Sequence, residues 1–244
     1  MQDENDKKIW DAQADSIDVD FYINTYKKNP AEWHKSLVNY INSIGCNGDA
    51  TIEVGCFSGI TTLLLDNKFK KTILDYSEKV LGKAKELFAK ANQPVDMICA
   101  DMFHIPVADK SFNIVFNSGV IEHLDFNSRV AHLTENARIM MDDGTMIIAY
   151  PNHSSWYYRF AYLKLKREGR WNYPDENKLY DMRQEIKAAG LILEEKKVFD
   201  PQTALVFLFR HSKYKNIAYA IGRFLGVGGY LMVLRIRKDK KHDQ

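Results

Sequence analysis

The sequence predicts a doubly wound α/β fold, in which helices cover both faces of a parallel sheet. Three observations predict it. Short apolar runs alternate with stretches of roughly 10–15 residues that carry helical periodicity, the signature of βαβ units. The apolar runs are nearly continuous rather than alternating, as strands buried on both faces must be. Residues 50–60 read Ala50-Thr51-Ile52-Glu53-Val54-Gly55-Cys56-Phe57-Ser58-Gly59-Ile60, a strand that turns on two glycines into a helix. Such a turn presents free backbone N–H groups and a helix N-terminus to a ligand, which suits a nucleotide-like cofactor.

Residues 1–28 scatter aromatics among acids without a clean period and read as a loose helical arm. Asn29-Pro30 reads as an N-cap with proline at the first helical position. Trp33, Leu37, Ile41 and Ile44 then recur at helical spacing up to Gly45. Residues 71–75 form a second strand ending in Asp75. Ser77-Glu78 caps a helix whose inner face carries Leu81, Ala84, Leu87 and Phe88. Residues 95–101 are a third strand ending in Asp101, and residues 112–117 a fourth ending in Asn117. Asn127-Ser128 opens a helix closed by Asp143-Gly144, and residues 145–150 are a fifth strand. A further helix begins at Asp175 and ends at Gly190, before apolar strands at 191–199 and 230–236.

At 244 residues the chain fits one α/β domain with insertions. We expect a cofactor-binding core at 46–152, an N-terminal helical arm or lid at 1–45, and insertions at 153–176 and 204–228. A net charge of +2 with no dominant basic block argues against a nucleic-acid partner. Cys46, Cys56 and Cys99 have no disulfide or zinc spacing; we expect Cys56 and Cys99 to be buried thiols in a reducing compartment, with no metal. The acidic, polar start reads as no secretory signal. No run approaches the ~18 apolar residues of a membrane span, so a cytoplasmic protein is expected.

In an open parallel sheet the ligand crevice lies outside the carboxyl ends of the strands. Those ends carry Glu53 with Gly55 and Gly59, then Asp75, Asp101 and Asn117. Asp75 lies 20 residues beyond Gly55, the separation of an acid that accepts ribose hydroxyls. A single strand-end Asp is usually a turn or cap residue; three polar ends in succession beside a glycine turn favour a cofactor. A dinucleotide fingerprint would need glycine at Phe57 and Ile60.

The motifs in order resemble a class I S-adenosylmethionine-dependent methyltransferase of the small-molecule, type 11-like kind. They run from residues 53–59 through Asp75-Tyr76-Ser77, Ala100-Asp101-Met102, Ile105-Pro106-Val107, residues 111–115, Val120-Ile121-Glu122-His123-Leu124 and Ala137-Arg138-Ile139 to Asp143-Gly144-Thr145, covering about 50–152. The resemblance implies a Rossmann-like seven-stranded sheet, mostly parallel, with the last strands closing it in antiparallel fashion, and S-adenosyl-L-methionine as cofactor. It places Glu53, Gly55, Cys56, Phe57 and Gly59 by the methionine portion and Asp75 on the ribose, with Tyr76 beside it among the cofactor contacts. Asp101 falls on the adenine amino group, Met102 offers backbone to the ring, and Asn117 lies near the methionine end. Two positions depart from the family. Phe57 replaces a glycine, so a glycine-only backbone is not expected there, and the ring either packs over the cofactor or weakens its binding. Asn113 replaces an Asp and is expected to alter a structural hydrogen bond.

A hydroxyl acceptor would need a general base. His153 after the fifth strand and His123 after the fourth are the candidates, each weighed against a structural role. Substrate contacts are expected from Tyr22, His153, Trp156, Tyr157 and Trp171, since residues 154–176 interleave aromatics with Lys and Arg in a way that suits a planar or acidic acceptor. The greasy, basic stretch 204–226 reads as a lid segment or an interfacial helix in peripheral contact with a membrane. The sequence thus points to methyl transfer to an O or N atom of a small or lipid-like acceptor. A catalytically silent cofactor-binding module and a membrane-peripheral adaptor are the alternatives.

Overall fold

The computed structural model describes residues 4–199 and 229–239. A seven-stranded sheet has the order β3-β2-β1-β4-β5-β7-β6. The strands are β1 Ala50–Val54, β2 Lys70–Asp75, β3 Asp96–Cys99, β4 Phe112–Ser118, β5 Met140–Pro151, β6 Leu191–Phe199 and β7 Leu231–Lys238. The first five are mutually parallel, and β7 lies between β5 and β6, antiparallel to both. The strand order reverses between β1 and β4, and at such a switch point the two flanking connections leave to opposite faces and open a crevice.

The helices are α1 Glu4–Ala14, α2 Val19–Phe21 running on through a π turn Tyr22–Tyr26, α3 Glu32–Ile44 and α4 Ile60–Leu64. They continue with α5 Glu78–Lys90, a 3-10 turn Ile121–His123, α6 Phe126–Ile139, α7 Trp156–Arg167 and α8 Arg183–Ala188. Period-two alternation sends the strand side chains to two cores. Ile52, Val54, Val115 and Ile148 pack with Leu133 of α6 and Ile186 of α8. Ile114, Phe116, Ile147 and Ala149 pack with Leu37 and Ile41 of α3. A third cluster joins Ile73 of β2 to Leu63, Leu87 and Phe88, and takes in Ile17 and Val19 from the N-terminal arm. None of the helices among the described residues is long and apolar enough to cross a membrane.

Several boundaries differ from the sequence expectations. Ser77 caps α5 as expected, accepting the Val80 N–H at 3.1 Å. Pro30, however, precedes the helix: α3 begins at Glu32, and the Asn29 side chain accepts from Lys35 at 3.2 Å instead of capping. Asp125, not Asn127, caps α6 through the Ser128 N–H at 2.8 Å. Gly144 lies inside β5 rather than closing α6. A Cβ there would stand 3.0 Å from the Asn113 carbonyl, so the sheet contact itself selects glycine. No helix begins at Asp175: the Leu179 N–H, which would close a first turn onto the Asp175 carbonyl, is bound elsewhere, and Asn177 is tied to a distant turn. Asn177 donates to the Glu122 carbonyl at 2.8 Å and Leu179 to His153 Nδ1 at 2.7 Å. Cys56 is buried, but Cys99 is exposed because β3 is an edge strand.

Candidate active site

The crevice beyond β1 and β4 opens into a cavity of about 650 Å3. Its first wall is the turn after β1. Gly55 adopts φ +73, and a Cβ on it would come within 2.7 Å of Val120 Cγ2 from the turn after β4. The two turns approach too closely there for any side chain. Phe57 takes the left-handed backbone, φ +47, that the sequence led us not to expect of a non-glycine. Its N–H is held at 3.0 Å by Asp75 Oδ2, while Asp75 Oδ1 accepts the Ser77 N–H at 3.0 Å. A local hydrogen bond and packing on Trp10, with ring centroids 5.8 Å apart, thus offset the left-handed strain.

Glu53 is buried under the same turn. Its Oε2 accepts both the Thr62 N–H at 3.1 Å and the Thr62 hydroxyl at 2.5 Å, fastening α4 to β1. Burial pushes its carboxyl up to about 7, against the lowering effect of the Thr62 hydrogen bonds. Asp75 is likewise raised by burial, although backbone N–H groups oppose the shift.

Of the cofactor residues expected from the sequence, Glu53, Gly55, Cys56, Phe57, Asp75, Tyr76 and Met102 line the cavity together. Gly59, Asp101 and Asn117 are not among its lining residues. Gly59 sets the start of α4 at φ +67. Asp101 closes its own turn by accepting the Phe103 N–H at 3.0 Å. Asn117 is buried beneath the strand end, its Nδ2 2.8 Å from His132 Nε2, which Asn136 also approaches at 3.0 Å. Asn113 accepts the Ala50 N–H at 2.9 Å, a structural hydrogen bond that ties β4 to the start of β1.

The second half of the cavity is aromatic. Tyr22, Tyr26, Trp33 and His34 enter from the N-terminal arm and α3, Tyr158 from α7, and Trp171, Tyr173 and Tyr230 from the loops beyond. His34 is held between the Tyr26 hydroxyl at 2.7 Å and Thr61 Oγ1 at 3.1 Å, and burial lowers it to about 3, so it stays neutral. Trp10 of α1 reaches Phe57, His123 and Tyr173, with centroids 5.8–6.0 Å away, and so closes α1 over the junction of the two halves. Tyr22, Trp171 and His123 therefore line the cavity, whereas His153 and Tyr157 are buried outside it. Trp156 opens α7, and its side chain lies outside the described part of the structure, as does the segment 204–226.

Both ring nitrogens of His153 are engaged. Nδ1 accepts the Leu179 N–H, which leaves Nε2 to donate to Glu176 Oε2 at 3.0 Å. Glu176 itself lines the cavity and also accepts the Tyr158 hydroxyl. Glu122, in the turn after β4, is the second acid on this wall. It is fully buried, its Oε2 has no hydrogen-bond partner among the described residues, and burial raises it to about 8. Nothing around Glu176 in the sequence marks it, since it sits in an irregular loop. Glu122 carried a faint signal as an acid directly after a strand end.

The comparisons with known proteins bear on the first wall. Residues 52–148 match the family model described as a methyltransferase domain. Residues 52–148 are a class I S-adenosylmethionine-dependent methyltransferase domain. A protein of Mycobacterium tuberculosis named as a probable S-adenosylmethionine-dependent methyltransferase is 27% identical to this chain over 108 residues. The match covers 44% of this chain and 37% of that protein. A Pyrococcus horikoshii protein shares the fold with a TM-score of 0.60 at 15% identity, over 90% of this chain and 99% of its own. So does a geranyl diphosphate methyltransferase solved in complex with SAM, with a TM-score of 0.61 at 11% identity over 85% and 84% of the two chains. The cofactor of the family is S-adenosyl-L-methionine.

The residues of the methyltransferase domain fit that cofactor chemically. Asp75 lines the cavity with backbone N–H groups, among them those of Phe57 and Ser77, on its carboxyl, and as an acceptor-only carboxylate it can still take a hydroxyl. The glycine cradle at Gly55 leaves backbone open where a side chain would block it. The acidic lining suits a sulfonium, which is a cation. Among the described residues no group of three His, Cys, Asp or Glu side chains could hold a metal ion.

Proposed function

We propose that this protein transfers a methyl group from S-adenosyl-L-methionine to a small-molecule acceptor. The supporting observation is the cavity itself, where the glycine turn and Asp75 of the methyltransferase domain share one space with an aromatic compartment. When bound, the cofactor supplies an electrophilic methyl whose departure leaves the bonding electrons on sulfur. The chain's part is to position it against the acceptor and keep water away, which is most of what this chemistry requires. Glu53, Gly55, Phe57, Asp75, Tyr76 and Met102 hold the cofactor in this reading. Trp10, Tyr22, Trp33, Tyr158 and Trp171 enclose the acceptor.

The lysines of 154–176 do not support an acidic acceptor, and Arg170, which does line the cavity, is bonded to Glu168 at 2.9 Å. Lys164 and Lys166 are exposed and bond to Glu168 and Asp175 rather than lining the cavity. Calorimetric titration with S-adenosyl-L-methionine and its demethylated product tests the cofactor half directly. We expect both to bind and Asp75→Ala to weaken each about tenfold, the loss of hydrogen bonds to a charged group. Absence of binding by the unaltered protein would refute the proposal.

A further inference from the structure

Resting on that reading of the cavity, we propose that the acceptor is an amine, bound as its ammonium ion between Glu122 and Glu176 and enclosed by the aromatic walls. The position of the two acids carries the proposal. Asn177 donates its N–H to the Glu122 carbonyl at 2.8 Å and its side chain to the Leu124 carbonyl at 3.0 Å. Those bonds pin the loop bearing Glu176 onto the turn bearing Glu122, so two carboxyl groups with buried side chains share one wall. The residue beside the cofactor turn is near as well: a Cβ on Gly119 would stand 3.7 Å from Glu122 Oε1. Glu122 therefore sits at the seam between the cofactor half and the aromatic half.

The two acids are unequally satisfied. Glu176 is held by Tyr158 and His153, with the Arg159 guanidinium at 3.7 Å. Glu122 Oε2 has no partner among the described residues. A buried carboxyl oxygen without a partner is costly, and a ligand that supplies a cation and N–H donors removes that cost. Among the described lining residues the acids are Glu53, Asp75, Glu122 and Glu176; the one lining guanidinium, Arg170, is exposed and bonded to Glu168 at 2.9 Å, and Arg159 behind the wall pairs with Glu176. A carboxylate or phosphate acceptor would find no free cation on the described wall and would meet Asp75 and Glu176, while the faces of Trp171, Tyr173 and Tyr230 attract a cation.

Glu176, Tyr150 and Tyr158 face Glu122 electrostatically, and His123 follows it in its own turn. With burial raising it to about 8, Glu122 holds a proton at pH 7 that an incoming ammonium displaces into solvent. In the complex its carboxylate can then take one proton from the ammonium. The N–H bond breaks, an O–H bond forms on Glu122, and the electron pair stays on nitrogen, which is the form able to accept a methyl.

Three matched probes test this: 2-phenylethylamine, 2-phenylethanol and 3-phenylpropanoate, titrated calorimetrically with and without saturating S-adenosylhomocysteine. Titrations at pH 7 in buffers of different ionisation enthalpy count the protons exchanged. The amine should bind at least tenfold more tightly than either analogue and release close to one proton. Glu122→Gln and Glu176→Gln should each weaken it at least tenfold, and Glu122→Gln should abolish the proton release, while S-adenosylhomocysteine affinity stays within threefold. An amine that binds no better than the alcohol, or not at all, overturns the proposal. So does amine affinity unchanged in both variants, or a Glu122→Gln defect confined to S-adenosylmethionine, which would make the sulfonium the counter-ion. Failure of S-adenosylhomocysteine to bind would count against the proposed function instead, and the titrations without it still decide for or against the amine.

Discussion

Replacing Glu53 by Gln should change the pH dependence of stability, with a sign and size set by the structure. The Glu53 carboxyl is completely enclosed and raised by burial from 4.5 to about 7. Between those values the folded protein holds a proton that the unfolded chain has released. Its contribution to stability is therefore complete below pH 4.5, drains as the pH rises, and is gone above about 7. At about 1.4 kcal/mol per pH unit, the interval amounts to roughly 3 kcal/mol. Asp75 and Glu122 are also raised by burial and act with the same sign, so the informative quantity is the difference between the two proteins. Gln keeps a carbonyl that can accept from Thr62 but cannot titrate. Urea unfolding at pH 5 and pH 8, at constant ionic strength, should show the variant gaining about 2–3 kcal/mol relative to the parent across that range. A difference that is the same at both pH values would refute the assignment of a buried, proton-holding acid at the end of β1.

Three further outcomes follow from the same geometry. Phe57→Gly relieves the left-handed backbone at the expense of the Trp10 contact, whereas Phe57→Ala loses the contact and keeps the strain; thermal unfolding should place the glycine variant about 1 kcal/mol above the alanine one. Gly55→Ala puts a Cβ 2.7 Å from Val120 at φ +73, and should cost about 1–3 kcal/mol in urea unfolding along with measurable cofactor affinity. Arg129 bridges α6 to α8 through Glu185 at 2.9 Å, with side chains only 11% and 5% exposed. Arg129→Met alone should cost about 3 kcal/mol by stranding Glu185, and the added change Glu185→Leu should recover much of it, as a double-mutant cycle would show.

The order and type of the sheet elements were legible because they rest on short-range physics. Continuous apolar runs such as Ile114, Val115 and Phe116 must be covered on both faces, and Ser77 caps its helix through a bond three residues away. The turn at Gly55 was equally visible, since few residues tolerate its φ. Boundaries set by distant partners were not. The helix expected from Asp175 is displaced to Arg183 because His153, far off in the chain, takes the Leu179 N–H that would have closed its first turn, while Glu122 ties down Asn177. The same dependence governs the site. Sequence spacing brought Glu53, Asp75 and Met102 to one edge, as strand ends of a parallel sheet must be, but gave no means of placing Asn117 toward His132 or His153 behind Glu176. Burial, and with it the charge state of Glu122, depends on which loops close over a carboxyl. By itself the sequence determined the sheet edge at the strand carboxyl ends and its glycine turn, because both follow from local conformational preference and periodicity. Tertiary packing alone decided which acids face the cavity, because hydrogen bonds between segments remote in sequence hold the loops that carry them.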